Sequence, residues 1–486
     1  MDTRSRGHRW RSATVLAALL ALPAFAGDAF ARREPTREEL LDRIERLEAI
    51  IQKQGLDKAS ASEGEEGVPV DKPQVEAIVD EKLRKQKVLA GWKDGFFLES
   101  PSGDFKLKFR GYIQTDARVF PLEGGDTGTD SFYLRRVRPI FEGTVYKYFD
   151  FRIMPDFGDG QVTLQDGYMD VNYFKPWAAF RAGKFKVPLS LERLEGGSEL
   201  LFIERSIANG LAPNRDVGFQ LSGTLWDEAL LWQVGAFNGT VDGGNSDGDT
   251  TSDKEGAARI WAQPFRNTDW SWAKGFGVGF ATTFGDVKDD SSSASPFRLR
   301  TPGRSTWFRY ATSSNVSVFG DGERTRISPQ GYYFWGPFGL MGEWIQSTQR
   351  LRLDDTKAGT STEGTFTNSG WFTQASYVLT GEDASYKMVT PINPFDPWNG
   401  RWGAFELAAR GGITEVDPEL FDKGFAKNGQ SAQRAANYGL GVNWYLNKNF
   451  KVQANWERTE FNEEVTFGKD DRNHEDVFLM RFQVSY

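Results

Sequence analysis

The end of the chain carries its clearest pattern, because apolar and polar residues alternate between Asp476 and Tyr486. The apolar positions are Phe478, Met480, Phe482, Val484 and Tyr486. Such alternation gives a β-strand one apolar and one mostly polar face. A soluble protein rarely ends on such a strand, since an unpaired edge invites aggregation, whereas the last strand of a closed transmembrane barrel pairs with the first. The pattern favours a barrel over its alternative, the edge strand of a soluble β-sandwich.

The same period of two recurs from Gly91 onwards. Asn447-Lys448-Asn449 is predicted to be the turn of the penultimate hairpin, and longer polar inserts at 242–255, 286–295 and 354–367 are predicted to be loops. Short turns alternating with long loops are typical of an outer-membrane barrel. At ~10 residues per strand, residues 91–486 accommodate about 16 to 18 strands. We therefore predict an all-β fold, a transmembrane antiparallel β-barrel, and a barrel of that size encloses an aqueous lumen.

The first residues have the features of a secretory signal peptide. Several arginines precede an apolar run at 13–22, and Ala24-Phe25-Ala26 supplies a small-x-small cleavage signal. The run is too short to span a bilayer as a helix. We expect residues 1–26 to be removed on export, with cleavage after Ala31 as the alternative.

Two helical segments are predicted between the signal peptide and the barrel. Within residues 32–54, Leu40, Ile44, Leu47 and Ile51 have the spacing of a short coiled-coil seam. About two heptads are fewer than the ~3–4 that specify a coiled coil, so a solitary amphipathic helix is the alternative. Residues 55–90 are predicted to form a polar linker and a short helix, and residues 91–486 the barrel.

Composition narrows the function classes. The chain has no cysteine and 2 histidines, of which only His474 follows the signal peptide, so a histidine-dependent hydrolase or metal site would rest on His474 alone. We expect neither catalysis nor a metal or cofactor. The 16 Trp, 14 Tyr and 38 Phe belong to a chain of mean hydropathy −0.52, which suits strands whose alternate residues face lipid. A formal net charge of −8 argues against nucleic acid as a partner.

A run of arginines interrupts one otherwise apolar strand. Arg135, Arg136 and Arg138 follow Phe132-Tyr133-Leu134. Arginine on the lipid face of a barrel costs ~2–4 kcal/mol at mid-depth, so Arg136 and Arg138 are expected to point into the lumen. Arg135 has the opposite parity and is expected at a rim or a bulge. The alternative is that these cations simply pair with Glu142 or Asp156 along the lumen wall.

A second segment combines a basic strand with an apolar loop. Lys184 and Lys186 lie on one face of a strand that ends at Pro188. The insert that follows is less polar than an exposed loop should be. Its apolar residues are Leu191, Leu194, Leu200, Leu201, Phe202 and Ile203. We expect this loop to pack inside the barrel, to narrow the pore, and to present Arg193 and Arg205 to it.

Taken together, these stretches resemble the phosphate-selective porin O and P family, from Gly91 to the C-terminus and most strongly over 91–225. The matching motifs are Trp92-Lys93-Asp94-Gly95-Phe96, Gly111-Tyr112-Ile113-Gln114-Thr115-Asp116, the arginine strand at 135–138, Asp166-Gly167-Tyr168, Gly183-Lys184-Phe185-Lys186, and Leu191-Glu192-Arg193 through Ala212-Pro213. The resemblance implies a homotrimer of 16-stranded barrels, an inward-folded third loop and an anion path lined by Arg and Lys.

The resemblance also assigns roles to single residues. Arg135 and Arg136 match paired arginines near the constriction, and Arg193 matches the basic residue of the inserted loop that meets the anion. Where phosphate-binding members place small hydroxyl residues, this chain has Glu195-Gly196-Gly197, with Ser198 just beyond. A carboxylate at that place is expected to repel a divalent anion.

The sequence thus favours an outer-membrane porin for passive diffusion of small anions such as phosphate, embedded in outer-membrane lipids. The alternative is a general porin with little ion preference, in which the N-terminal helix tethers the membrane to the cell wall. The two differ in the reversal potential that a salt gradient would produce.

Overall fold

The computed structural model describes residues 88–120, 128–248, 252–288, 297–468 and 470–486. The predicted signal peptide, the heptad segment at 32–54 and all but the last residues of the segment at 55–90 lie outside these ranges and stay predictions. Within the described ranges, no helix is long and apolar enough to cross a membrane.

A closed antiparallel barrel makes up most of the described chain. Sixteen of the eighteen strands of its sheet, β3 to β11 and β14 to β20, form the wall, and β20 closes it by pairing with β3. The wall strands are β3 (Lys106–Val119), β4 (Ser131–Val145), β5 (Phe149–Asp156), β6 (Thr163–Phe174), β7 (Ala178–Lys186), β8 (Arg215–Leu225), β9 (Leu230–Phe237), β10 (Glu255–Ala262), β11 (Phe276–Lys288), β14 (Val316–Trp335), β15 (Phe338–Asp355), β16 (Thr360–Val378), β17 (Ala404–Glu415), β18 (Arg434–Tyr445), β19 (Phe450–Phe467) and β20 (Asp470–Ser485). The predicted barrel class is confirmed.

Four shorter strands lie beside this wall. The hairpin of β1 (Leu89–Trp92) and β2 (Phe96–Glu99) extends the sheet by pairing with the first residues of β3. A second small sheet joins β12 (Arg298–Arg300) to β13 (Thr306–Arg309). Both strands belong to the connection that leads from β11 to β14 along the chain. β1 therefore begins at Leu89, two residues before the predicted start of the barrel domain.

The terminal strand behaves as its alternation predicts. Ser485 pairs with Tyr112 and Phe478 with Val119, so the last strand meets the first barrel strand along this register. Arg481 and Gln483 are buried, whereas Phe478 and Val484 are exposed on the opposite face. The apolar face is therefore the lipid-facing one, and the polar face points into the lumen.

The two ends of the barrel differ in the length of their connections. At one end, which also holds both ends of the barrel chain, most strands join by short turns, including the predicted turn at 447–449 between β18 and β19. Short turns face the periplasm in such barrels and long loops face outward. The predicted loop at 354–367 is wrong, because β15 and β16 continue to Asp355 and from Thr360. Residues 356–363 at the tip of this hairpin are exposed, so no apolar face marks the strands there, and Phe366 is the one buried residue of the predicted loop.

The third loop, residues 187–214, folds into the barrel. It contains the short helix α1 (Leu191–Leu194) and a 3₁₀ turn (Ile207–Leu211), and Leu200, Phe202 and Ile203 are buried. Its backbone is fixed to the far wall: Ile203 N–H donates to Asn455 Oδ1 at 2.8 Å, and Arg481 donates to Ile203 O at 2.8 Å. The expectation of an inward-folded loop is met by these contacts. The other helix of the described chain is α2 (Glu419–Asp422).

A segment from the opposite end also enters the lumen. Between β16 and β17, residues 379–403 form an unusually long connection for the short-turn end. Ala384 and Val389 of this segment are buried against Tyr445, and the Tyr386 hydroxyl donates to Leu191 O of the third loop at 2.7 Å. The lumen is therefore narrowed from both ends on the side of β14 to β18.

Candidate functional site

The open part of the lumen lies between the third loop and the wall of β3 to β9. A cavity of about 310 Å³ occupies this space. The loop contributes residues 194 and 196–199 to its lining. The cationic residues that line it are Arg110, Arg138, Arg152, Arg181, Lys186 and Arg215.

These six cations come from five strands. β3 carries Arg110, β4 Arg138 and β5 Arg152, while β7 carries Arg181 and Lys186 and β8 begins at Arg215. Tyr112 and Tyr168 lie among them, opposite Arg138 and Arg152 in the ladder. Neighbouring strands thus place their inward side chains side by side and build one continuous basic wall.

Most of the arginines on this wall are paired with carboxylates. The Nε–O distance is 2.7 Å for each of three pairs, Arg138–Asp156, Arg181–Asp170 and Arg215–Asp166. Glu142 accepts from Arg110 at 2.7 Å and from Arg152 at 3.3 Å. The pairing of Arg138 with Asp156 is the alternative that the sequence left open. The field of the wall is therefore partly neutralised.

Lys186 differs from the arginines around it. Its ammonium group donates to Glu195 O at 2.8 Å and to Leu194 O at 3.1 Å, so both of these partners are neutral carbonyl oxygens. No carboxylate accepts from it at these positions, and Arg205 and Arg215 lie close enough to oppose its charge. Lys186 also joins the base of the third loop to the wall.

Arg135 and Arg136 lie just outside this cavity. The register between β3 and β4 skips Arg135, since Gln114 pairs with Arg136 and Thr115 with Leu134; Arg135 is therefore at a bulge, as its parity predicts. It donates to both carboxylate oxygens of Glu204, at 2.5 and 3.1 Å. Arg136 is buried and donates to Gln114 Oε1 at 2.8 Å.

Glu204 is the loop carboxylate that this arginine cluster holds. Burial alone would raise its pKa, but the charge and hydrogen bonds of Arg135, with the charges of Arg136 and Arg481, hold the pKa of Glu204 well below its usual range. The cluster therefore contains a permanent anion. Arg135 and Arg136 fix the third loop to β4, and their place in an anion path stays a prediction.

Three other expected residues have different surroundings from those predicted. Arg193 donates to Asn209 O at 2.5 Å, and Arg205 donates to Glu192 O and Glu195 O at 2.9 and 2.7 Å. Both guanidinium groups therefore bind loop carbonyls instead of projecting into the pore. Burial and the neighbouring Arg205 lower the pKa of Arg193 to about 9. Lys184 forms an ion pair with Asp247 in the connection after β9.

The carboxyl group of Glu195 also departs from expectation. Its main-chain oxygen faces Lys186, whereas the residue lines a separate small cavity with Gln374 and Tyr445. Burial, with the nearby charge of Glu192, raises the pKa of Glu195 to about 8. Gly196, Gly197 and Ser198 line the basic cavity in its place. The carboxylate expected to repel anions is thus turned away from the basic wall and mostly protonated at neutral pH.

Four arginines of the wall were missed by the sequence analysis. Arg110, Arg152, Arg181 and Arg215 were not assigned to the pore, although Arg110 and Arg152 alternate with the apolar residues of their strands. A cation between outward-facing Phe151 and Ile153 has to point inward. The period-two alternation of these strands is therefore enough to predict that Arg110 and Arg152 point into the lumen.

A comparison with known families agrees with this architecture. Residues 105–486 match the family described as phosphate-selective porin O and P. The chain belongs to this family. It is an outer-membrane porin, located in the bacterial outer membrane.

Individual relatives of this porin have low identity to it. Porin O of Pseudomonas aeruginosa is 26% identical over 425 residues, which cover 81% of this chain and 91% of that protein. The outer membrane channel DcaP of Acinetobacter baumannii is 10% identical, with a TM-score of 0.48 over 82% of this chain and 100% of that one. An anion-selective porin from Comamonas acidovorans is 10% identical, with a TM-score of 0.45 over 79% of this chain and 100% of that one.

Proposed function

We propose that this porin passes small anions such as phosphate through the cavity beside the third loop, along the basic wall of β3 to β8. The observation that carries the proposal is the set of six cations lining one cavity. A focused positive potential in a narrow, low-dielectric passage raises the local concentration of anions. The protein then acts as a channel, without catalysis.

The balance of charges sets the strength of this preference. The carboxylates that pair with the six cations or line the cavity are Glu142, Asp156, Asp166, Asp170 and Glu199. Six basic residues against five carboxylates leave at most one formal positive charge on the wall. The pore should therefore prefer anions moderately. A general porin with little preference is the second candidate, and the number of ion pairs on the wall favours it.

Phosphate competition with chloride tests the proposal. Single channels in planar bilayers, in a gradient of potassium chloride, should give a reversal potential with the sign of the chloride equilibrium potential. Millimolar phosphate should reduce the chloride current, because a divalent anion is held more strongly by the same wall. A reversal potential at zero and an unchanged chloride current would support the general porin instead.

Glu195→Gln should have little effect on the reversal potential at pH 7. The carboxyl group has a pKa of about 8, so it is mostly neutral there and the substitution removes almost no charge. Above pH 9 the Glu195 carboxyl group is ionised, so the anion preference of the wild type should decrease more than that of the variant; Arg193, with a pKa of about 9, titrates in both. Reversal potentials from pH 6 to 10 check this, and a difference already present at pH 6 would contradict it.

The partner proposed for the barrel is two further copies of itself. β5, β9 and β10 have only 8 residues each, whereas β14 to β16 have 18 to 20. At ~3.3 Å per residue and a tilt of about 40°, a strand that short rises roughly 20 Å, less than the ~25 Å apolar band of such barrels. A low wall of this kind is suited to face a neighbouring barrel. The heptad segment at 32–54 would then join the three chains.

Alanine at Phe219, Leu221 and Val234 should weaken the trimer. These side chains are exposed on the outward face of β8 and β9, and their loss removes apolar area from a contact between copies. The trimer should dissociate at a lower temperature in SDS gels. Alanine at Leu407, Leu440 and Val442, which are exposed on β17 and β18 away from the short strands, is the matched control and should leave that temperature unchanged. Equal shifts in both triple variants would contradict the proposed interface.

A further inference from the structure

The long connection at 379–403 has two arms that lie on opposite sides of the barrel rim. The inner arm, residues 382–389, packs against lumen-facing Tyr445. The outer arm, residues 392–402, turns back over the outside. Phe395 N–H of the outer arm donates to Leu446 O at 2.6 Å, just past the end of β18.

Aromatic contacts attach the outer arm to the outward face of the wall. The ring of Phe395 lies 5.4 Å from that of Trp444 and 5.7 Å from that of Trp402. Trp444 Nε1–H donates to Trp402 O at 2.6 Å. Trp444 in turn stacks on Phe405 at 5.7 Å. Since Phe405 and Trp444 share the parity of exposed Leu407 and Val442, the arm continues the lipid-facing surface.

Several side chains of the outer arm are strongly exposed. Trp398 is 86% exposed, Ile392 69% and Trp402 55%. The two charged residues of the arm are Asp396 and Arg401, whose backbones pair with each other. An arm of this composition presents large apolar groups at the rim of the barrel.

Exposed tryptophans mark the same end of the barrel in the other connections. Each is more than half exposed and lies in or next to a short-turn-end connection. They are Trp177, Trp226, Trp270, Trp272 and Trp335. Tryptophan concentrates where the bilayer meets water, because its ring prefers the headgroup region. The outer arm therefore lies at the level of an aromatic belt.

We propose that the outer arm is a membrane anchor that inserts Ile392 and Trp398 into the interfacial region of the periplasmic leaflet. The ligand is phospholipid at the boundary of headgroups and acyl chains. Continuity with the lipid-facing belt selects lipid over water or a protein partner. Because the two arms belong to one segment, the anchor also holds the inner arm, which contacts the third loop. The inference goes beyond the proposed anion passage and does not depend on it.

The natural absence of cysteine makes a clean test possible. Ile392→Cys and Trp398→Cys would each carry a nitroxide spin label, in full-length protein reconstituted into phosphatidylethanolamine–phosphatidylglycerol vesicles. Leu440→Cys marks the lipid belt, and Lys357→Cys, in the exposed connection between β15 and β16, marks water. The ratio of collisions with oxygen to collisions with a water-soluble nickel chelate reports the depth of each label.

We expect the labels at 392 and 398 to give an oxygen-to-nickel ratio several-fold above that at 357 and below that at 440, as for an interfacial depth. A ratio equal to that at 357 would show that the arm stays in water and would overturn the proposal. Immobilised labels that neither reagent reaches would show a protein partner or a second copy, and would also overturn it. Unchanged heat-dependent mobility in SDS gels confirms that each variant is folded.

Discussion

Replacing Arg138 and Arg215 together by alanine is expected to turn the anion preference of the pore into a cation preference. Each arginine neutralises a carboxylate of the same wall, Asp156 or Asp166, at 2.7 Å. Their removal lowers the formal charge of the wall by two, from at most plus one to minus one or below. At about 5 Å and an effective dielectric of about 20, one charge acts on a monovalent ion with ~3 kcal/mol before hydration and salt screening. The anion-to-cation permeability ratio should fall about tenfold or more.

Two control variants test whether the shift in reversal potential follows the charge of this wall. Asp156→Asn with Asp166→Asn should raise the anion preference, because it frees both arginines. Arg350→Ala removes an exposed ion pair with Glu363 at the outer end and should leave the reversal potential unchanged. If the double alanine variant kept the wild-type reversal potential, the wall of β3 to β8 would not line the ion path.

The architecture of the barrel could be predicted because alternation acts strand by strand. The last strand reveals its lipid-facing side through Phe478 and Val484, and the parity of Arg135 predicts a rim or a bulge, of which the structure shows the bulge. The upper part of the hairpin of β15 and β16 is wrongly predicted as a loop, because the side chains of residues 356–363 are exposed on both faces. Alternation is informative only where one face of a strand meets lipid.

The roles of the loop residues could not be predicted in the same way. Arg193 and Arg205 are basic residues of a loop inside a pore, and by type alone they are expected to bind anions. Which acceptor each one reaches depends on where the loop carbonyls of Glu192, Glu195 and Asn209 point, and that is set by the packing of the loop against the far wall. The same packing turns the carboxyl group of Glu195 away from the basic cavity. Neither the choice of acceptor nor the direction of the Glu195 carboxyl group produces a periodic pattern in the sequence.

That packing depends on one buried arginine of the far wall. Arg410 is fully buried and donates to Glu457 Oε2 at 2.5 Å and to Glu204 O of the third loop at 2.8 Å. It also lies 3.7 Å from Glu192 and 4.4 Å from the ring of Phe202. A single side chain thus pairs with Glu457 on a neighbouring part of the wall and joins it to one carboxylate and one main-chain oxygen of the third loop.

Arg410→Ala should therefore release the third loop from the wall. Removing one partner of a buried ion pair costs about 3–5 kcal/mol, because the other charge is left without compensation. Glu457 and Glu192 can recover hydration only if the loop moves away and water enters. The barrel itself should persist, because its strands pair all round. Single-channel recordings should show a larger conductance with frequent transitions, and thermal unfolding should begin at a lower temperature.

A second substitution separates loss of charge compensation from loss of packing. Arg410→Met with Glu457→Gln removes the cation together with its strongest anionic partner and keeps most of the buried volume. This double variant should recover part of the wild-type conductance and most of the lost stability, since burying neutral groups costs less than burying an unpaired charge. If Arg410→Ala kept the wild-type conductance without additional transitions, the contacts of the third loop with Asn455 and Arg481 would be enough to fix the loop to the wall.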